Sequence, residues 1–252
     1  MKSWLSLLRR GAGRLAGQGL DLICPPRCVF CRADVAEPSP APTVVCDACR
    51  RRLACDGPRC RACGAPASGE AECRHCRGRC RDWDGIVLLS GYADDVRDAV
   101  LAAKRPGGEL VAAGLATLLV DRHRGQLTDW RIDLVVPVPM HWTRRLARGA
   151  SSADALARGV AAAIGIPSRR LLVRTRRTRM QNELPPGERR ANVRAAFRAA
   201  KGAAGRRLLL VDDVTTTGGT LSACRAALVA AGAGAVFAAA VARADATEPA
   251  RA

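Results

Sequence analysis

The chain reads RLLLVDDVTTTGGT over residues 207–220, and this stretch decides the fold. Its apolar part, Leu208 to Val211, predicts a buried parallel strand, because a strand covered by helices on both faces is apolar on both. The two acids that follow lie where open α/β sheets bind their ligands, at the carboxyl end of a strand. The turn at 215–220 leads into a helical pattern over Leu221 to Ala231, which predicts an anion site at a helix N-terminus.

Two adjacent acids beside an anion site suit a ligand that carries both a sugar diol and a phosphate. An ordinary strand–turn–helix, with the acids as helix caps, is the alternative. A P-loop is excluded, because no Gly-Lys-Ser/Thr follows the glycines. The stretch resembles the phosphoribosyl-pyrophosphate (PRPP) loop of type I phosphoribosyltransferases, and this resemblance implies that Asp212 and Asp213 hold the ribose 2′- and 3′-hydroxyls.

Cysteine spacing predicts two structural zinc sites. Eleven of the twelve cysteines lie between positions 24 and 80, and eight of them form four CxxC pairs that offer two complete tetrahedra of thiolates. The predicted ligands are Cys28, Cys31, Cys46, Cys49, Cys60, Cys63, Cys73 and Cys76. Pairing along the chain encloses fourteen and nine residues, which suits zinc ribbons, and an interleaved pairing stays open.

The cysteines have two alternative uses. A disulfide scaffold is disfavoured because no export signal is recognised, and an iron–sulfur cluster because the pairs are evenly split. Cys24, Cys55 and Cys80 receive no role, and Cys224 is read as a small buried apolar residue.

Charge is strongly positive and unevenly distributed. The formal net charge is +18, and between His141 and Arg207 seventeen Arg or Lys stand against three acids. This density predicts an anion-facing surface for a polyphosphate, a nucleic acid or both, with a solvated basic face as the alternative. No stretch is long and apolar enough to span a bilayer. We expect a cytoplasmic protein, with peripheral contact to the inner membrane as an alternative.

Periodicity predicts alternating strands and helices after the cysteines, and hence a parallel sheet flanked by helices. The predicted strands are Ile86–Tyr92, Ile132–Val138 and Val236–Val241, and the predicted helices are Asp94–Lys104, Glu109–His123, Ser151–Ile164 and Glu188–Phe197. Trp130 is expected in the core and His123 on a helix surface.

The order of these pieces resembles the ComF (ComFC) family of competence-associated proteins, described as a double zinc ribbon followed by a type I phosphoribosyltransferase domain. The matching segments are the CxxC pairs, AAKRPGG with Lys104, VVPVPMHWTRRLARG at 135–149, Gln181 with ERRANVRAAF at 188–197, and LLLVDDVTTTGGTL at 208–221. The expected division is an amphipathic helix at 1–23, the double ribbon at 24–81, a phosphoribosyltransferase-like domain at 82–243 and a tail at 244–252.

The resemblance implies a PRPP site, with Mg²⁺ bound alongside PRPP. Asp212, Asp213 and Lys104 are the expected catalytic residues, with Lys104 near the pyrophosphate. The rest of the expected site is Thr215, Thr216, Thr217, Gly218, Gly219 and Thr220. One segment departs from the family, which has an aromatic and Asn-Gln where this chain has Ala150-Ser151-Ser152. Glutamine amidophosphoribosyltransferase identity is not expected, since its long N-terminal glutaminase domain is lacking.

Two functions follow as hypotheses. The first is phosphoribosyl transfer or sensing in a protein associated with DNA uptake, with no general base identified. The second is a non-catalytic module that holds single-stranded DNA through the ribbons and the Arg-rich face, with other DNA-uptake proteins as partners. Its predicted contacts are Trp142 for base stacking and Arg144, Arg145 and Arg148 for phosphates.

Overall fold

The computed structural model describes the sheet, its covering helices and parts of the cysteine-rich region. The described residues are 26–35, 43–54, 57–60, 62–66, 73, 84–140, 152–175 and 196–244. The predicted N-terminal helix at 1–23 lies outside them, as do 245–252 of the predicted tail.

Five helices and six strands make up the described part of the chain. The helices are α1 Asp47–Leu53, α2 Asp94–Ala103, α3 Glu109–Asp129, α4 Ser152–Ile164 and α5 Gly219–Ala230. The strands are β1 Ile86–Gly91, β2 Leu134–Pro137, β3 Leu172–Arg174, β4 Phe197–Ala199, β5 Arg207–Thr215 and β6 Ala235–Arg243.

Four strands form the central sheet in the order β1-β6-β5-β2, and every neighbouring pair is parallel. The predicted fold class, a parallel sheet flanked by helices with a small cysteine-rich module before it, is confirmed. β3 and β4 pair antiparallel in a separate hairpin.

Side chains of β5 alternate between two cores, as the continuous apolar run predicts. Leu209 and Val211 face the helices α2, α3 and α4, while Leu208 and Leu210 face α5 and the β3–β4 hairpin. Cys224 of α5 is fully buried in the second core, which confirms its interpretation as a small apolar residue.

Trp130 is buried and stacks on Phe237 with ring centroids 4.5 Å apart, as expected for a core residue. His123 is not the surface residue that the sequence predicted. It is half-buried at a kink in α3, and its Nε2 lies 2.8 Å from the carbonyl oxygen of Leu88 on the edge strand β1. Burial lowers the pKa of His123, so its ring is neutral at physiological pH.

The helix predicted over 188–197 is wrong at its end. Residues 188–195 lie outside the described part, but Phe197 lies in β4, opposite Arg174 of β3. Burial of Phe197 against the second core and strand pairing fix an extended backbone there, which overrides a local helical pattern. No helix among the described residues is long and apolar enough to cross a membrane.

Candidate ligand site and zinc ribbons

The carboxyl end of β5 is open on one side because its two neighbours end at different heights. β2 pairs with β5 only as far as Pro137 opposite Val211, whereas β6 follows β5 to Thr215 opposite Arg243. The two predicted acids therefore lie beyond the end of β2. The helices that follow β2 and β5, α4 and α5, pack on opposite faces of the sheet. Such a divergence is where open α/β sheets form a ligand crevice.

Three groups hold the carboxylate of Asp213. The backbone N–H of Val214 donates to Oδ1 at 2.7 Å. Ser152 Oγ, from the first residue of α4, donates to Oδ2 at 2.5 Å. Lys104 Nζ, just after α2, lies 3.2 Å from the same Oδ2. Both oxygens of Asp213 are thus oriented by the protein, and Lys104, which was predicted to approach a pyrophosphate, lies beside this acid.

Asp212 has a different environment, although it is the adjacent residue. Its Oδ1 accepts the backbone N–H of Asp213 at 2.9 Å. Burial raises the pKa of Asp212, and the charge of Asp213 raises it further, to about 7, against the opposing charges of Lys104 and Arg174. Near neutral pH, Asp212 can therefore act as a hydrogen-bond donor or as an acceptor.

The turn after the acids leads directly into a helix. Thr215 ends β5 and is buried. Gly218 has φ 75°, a left-handed conformation that glycine adopts without steric cost, and it precedes the first residue of α5. No side chain of this N-cap residue bonds the helix, so the first turn of α5 is suited to bind an anion through its backbone N–H groups.

Two further residues act on the acids and were not predicted as site residues. Ser152 lies in the segment that departs from the ComF pattern, and that departure was the one sequence feature that pointed to it. Its hydroxyl provides a hydrogen-bond donor in the segment where the family pattern has Asn-Gln. Arg174 of β3 influences Asp212 by its charge, and its guanidinium lies 5.4 Å from the centre of the Phe197 ring. No sequence pattern distinguished Arg174 from the arginines around it.

The predicted nucleic-acid contacts, Trp142, Arg144, Arg145 and Arg148, lie outside the described residues, as does Gln181. Of the other predicted site residues, Thr216 and Thr217 lie in the turn after the acids, and Gly219 and Thr220 are the first residues of α5, which begins two residues before the predicted Leu221.

Four cysteine sulfurs of the first ribbon converge on one point. Those of Cys28, Cys31, Cys46 and Cys49 lie within 4.8 Å of one another, and the Cys31 and Cys46 sulfurs are 3.6 Å apart. Tetrahedral zinc with Zn–S bonds of about 2.3 Å requires sulfurs about 3.8 Å apart. The donor set therefore fits zinc in both number and spacing.

Backbone N–H groups prepare this cluster for a metal. Burial by itself would raise the pKa of the Cys28 thiol, but N–H groups of Cys31, Cys46 and Phe30 lower it to about 6. Burial and the neighbouring thiols raise the pKa of Cys49 well above its usual range. Thiols crowded in this way lose their protons together only when a cation compensates their charge.

The second ribbon repeats the geometry of the first. Cys60, Cys63 and Cys73 converge in the same way, with the Cys63 and Cys73 sulfurs 3.7 Å apart. Cys76, the predicted fourth ligand, lies outside the described residues. Each site is therefore formed by two CxxC pairs that are consecutive in the sequence, and the interleaved pairing does not occur among the described cysteines. The first knuckle of each ribbon has a left-handed residue after its second cysteine, Arg32 with φ 62° and Gly64 with φ 71°.

The two ribbons attach to different parts of the α/β domain. The first packs on α3, where Thr43 Oγ1 lies 3.2 Å from Thr117 Oγ1 and Arg50 pairs with Asp121 at 2.7 Å. The second contacts the sheet at β1 and β6. A β-carbon at Gly64 would collide with Leu88 of β1, and the Arg243 guanidinium donates to the carbonyl of Cys63 at 2.7 Å.

These features define a class of protein, in which a double zinc ribbon is joined to an α/β domain with an acidic pair at a strand end. Residues 19–77 match the family model of the double zinc ribbon domain. The chain is 29% identical to "DNA utilization protein YhgH" of Escherichia coli over 85% of its own length and 96% of that protein. It is also 29% identical to "Competence protein F" of Haemophilus influenzae, over 78% of this chain and 87% of that protein. The chain is therefore similar over most of its length to these competence and DNA-utilization proteins, and the predicted resemblance to the ComF family is confirmed.

Two solved structures are also similar to part of the chain. One is described as the allosteric regulatory enzyme of purine biosynthesis, with 26% identity and a TM-score of 0.36. The other is glutamine PRPP amidotransferase from B. subtilis complexed with ADP and GMP, with 25% identity and a TM-score of 0.35. Each match covers 53% of this chain and about a quarter of the other, 26% and 27% respectively.

Proposed function

We propose that this competence-related protein binds PRPP at the carboxyl end of β5. The observation that carries the proposal is the acid pair Asp212 and Asp213, with Lys104 Nζ 3.2 Å from Asp213 and the N-terminus of α5 directly after the turn. Carboxylates suit a ribose diol, a helix N-terminus suits a 5′-phosphate, and an ammonium group suits a pyrophosphate.

Magnesium fits the same site, because carboxylate and phosphate oxygens are the ligands that it prefers. Asp212 and Asp213 would bind the ion from the protein side, and oxygens of the pyrophosphate would bind it from the ligand side. The ion would neutralise charge on the leaving group. The protein's own contribution is to orient the ribose on the two acids and to place a cation at the pyrophosphate through Lys104.

The reaction class that we propose is phosphoribosyl transfer, with an acceptor nitrogen attacking C1 of the ribose as pyrophosphate leaves. A protein that binds PRPP as a signal, without transferring the phosphoribosyl group, would use the same contacts. Ser152 supports a retained site, because it keeps a hydrogen bond to Asp213 within the segment that departs from the family pattern.

Calorimetric titration with PRPP and Mg²⁺ tests the proposal. We expect the double variant Asp212→Asn with Asp213→Asn to abolish binding, because each charge-assisted hydrogen bond contributes about 1.5–3 kcal/mol. Asp98→Asn, which changes an exposed acid on α2, is the matched control and should bind as the parent protein does. A folded double variant with unchanged PRPP affinity would reject the site.

A second function is favoured by the names of the relatives and by the net charge of +18. We propose that the chain also binds single-stranded DNA in the cytoplasm during DNA utilization, together with other proteins of DNA uptake. Trp142, Arg144, Arg145 and Arg148 remain the proposed contacts.

A further inference from the structure

Ser152 places a buried hydroxyl against the acid pair. It is the first residue of α4 and is only 3% exposed. Its Oγ donates to Asp213 Oδ2 at 2.5 Å, the length of a short charge-assisted bond between a hydroxyl and a carboxylate. Because the backbone of Ser152 belongs to a packed helix, this donor has little freedom to follow a moving carboxylate.

Lys104 contacts the same oxygen of Asp213 at 3.2 Å, but it is a different kind of partner. Its ammonium is carried on a flexible four-carbon stem and begins just after α2, at the start of the short loop 104–108. The Lys104 side chain is 25% exposed, and that of Asp213 is 16% exposed. A ligand with a diol and a polyphosphate offers a hydroxyl to Asp213. It also offers Lys104 phosphate groups that carry more negative charge than the Asp213 carboxylate does.

We propose that Ser152 is a positioning residue, which holds the Asp213 carboxylate in place when Lys104 leaves it to bind the phosphates of the ligand. The inference rests on the proposed function for the identity of that ligand. The geometry does not depend on the ligand, since Ser152 holds Oδ2 of Asp213 from a packed helix, beside the Val214 N–H on Oδ1, while Lys104 is exchangeable.

Removing the Ser152 hydroxyl should change the environment of the Asp213 carboxylate as well as ligand affinity. Of the two groups that contact Oδ2, Lys104 would then remain, and the phosphates of the ligand would draw it away. The Val214 N–H would still hold Oδ1, so the carboxylate would lose the contact that fixes its other oxygen. We therefore expect the NMR resonance of the Asp213 carboxyl carbon to change position when the hydroxyl is absent.

The experiment compares the full-length parent protein with Ser152→Ala and Ser152→Cys. Cysteine keeps nearly the volume of serine but is a weak donor, so it separates the hydrogen bond from packing. Ser90→Ala is the matched control, because Ser90 is also buried, at 7% exposure, but lies on β1, with β6 between it and β5. The Asp213 carboxyl carbon resonance is compared by ¹³C NMR at one pH without ligand, and PRPP–Mg²⁺ affinity is measured by calorimetry.

We expect both Ser152 variants to move the Asp213 carboxyl carbon resonance from its position in the parent protein and to weaken PRPP binding by about tenfold, while Ser90→Ala changes neither. An unchanged resonance in a folded Ser152→Ala or Ser152→Cys protein would overturn the positioning role. A moved resonance in a protein whose parent form does not bind PRPP would support the role of Ser152 and reject the proposed ligand.

Discussion

Asp212 is the residue whose chemistry depends most on its surroundings. Burial and the charge of Asp213 raise its pKa to about 7, whereas an aspartate in an unfolded chain has a pKa of about 3.9. The folded protein therefore retains this proton at pH values where the unfolded chain has released it. As a result, the group destabilises the fold progressively between about pH 4 and pH 7, and the destabilisation is complete above that range.

Replacing Asp212 by Asn should stabilise the protein only where the carboxyl would be charged. We expect Asp212→Asn to raise the free energy of unfolding by about 1–3 kcal/mol at pH 8 and to give no gain at pH 4. The asparagine oxygen can still accept the N–H of Asp213. Urea unfolding at the two pH values measures the difference, and Asp98→Asn provides an exposed control. Equal effects at both pH values would contradict the burial of charge at this position.

The sequence indicated the acids and Lys104 because type and spacing are visible in it. Ser152 and Arg174 were not predicted as partners, because they reach the acids through the start of α4 and through the β3–β4 hairpin. These contacts depend on how separate elements pack, which a local pattern does not encode. The same holds for His123, which is half-buried because the kinked helix α3 passes the edge of β1.

At the scale of elements, the second ribbon and the ligand loop share the end of one strand. Arg243 ends β6, lies opposite Thr215 of β5 in the sheet, and donates to the carbonyl of Cys63 in the ribbon. The N–H of Ala244 also donates to the carbonyl of Thr215 at 2.8 Å. The ribbon thereby supports the strand end from which the turn at 215–220 begins.

Arg243→Ala should loosen the second zinc site and leave the first intact. We expect the parent protein to contain two zinc ions, and the variant to release one of them several-fold faster to a chelator, because Cys63 loses a charged hydrogen bond that orients its knuckle. Release followed with a colorimetric zinc indicator measures both phases. Arg206→Ala, an exposed arginine before β5, is the control. Equal acceleration of both phases, or of neither, would contradict a role specific to the second ribbon.

Elements with strong apolar runs were predicted well, and elements made by pairing were not. β5 continues four residues past the predicted Val211 because β6 keeps bonding it, and α3 continues past His123 to Asp129 through a kink. The short strands β3 and β4 are stabilised by each other and by the second core, so the residues of either one alone gave no signal.

At the scale of the whole molecule, the first ribbon and the sheet share one core. Cys28, Cys49 and Leu53 belong to the same buried cluster as Leu209 and Val211 of β5. The proposed domain boundary at 81/82 therefore separates two compositions, one rich in cysteine and arginine and one rich in aliphatic residues. It does not separate two hydrophobic cores. We infer that metal binding stabilises the ribbon side of this core, where few large apolar side chains are available.

The net charge of +18 belongs to the whole chain, and the Arg-rich segment from His141 to Arg207 carries much of it. If this segment binds single-stranded DNA, log affinity should fall linearly with log salt concentration, by roughly 0.7 per phosphate contact. We expect Arg144→Ala with Arg145→Ala to flatten that slope and to weaken binding to all sequences alike, because phosphate contacts carry no base information.

Trp142→Ala separates stacking from charge, since stacking releases no counterions and its loss should weaken binding with little change in slope. If the arginines instead neutralise only pyrophosphate, the double variant would raise the PRPP dissociation constant and leave DNA binding unchanged.

Arg97→Ala, an exposed arginine on α2, controls for the loss of a positive charge elsewhere. Fluorescence anisotropy with a labelled oligonucleotide measures the slopes, and titration of PRPP into the complex shows whether the two ligands share a face. We expect partial competition, because α4, which follows the segment 141–151 in the chain, begins at Ser152 against Asp213. Absence of DNA binding at low salt would reject the nucleic-acid role.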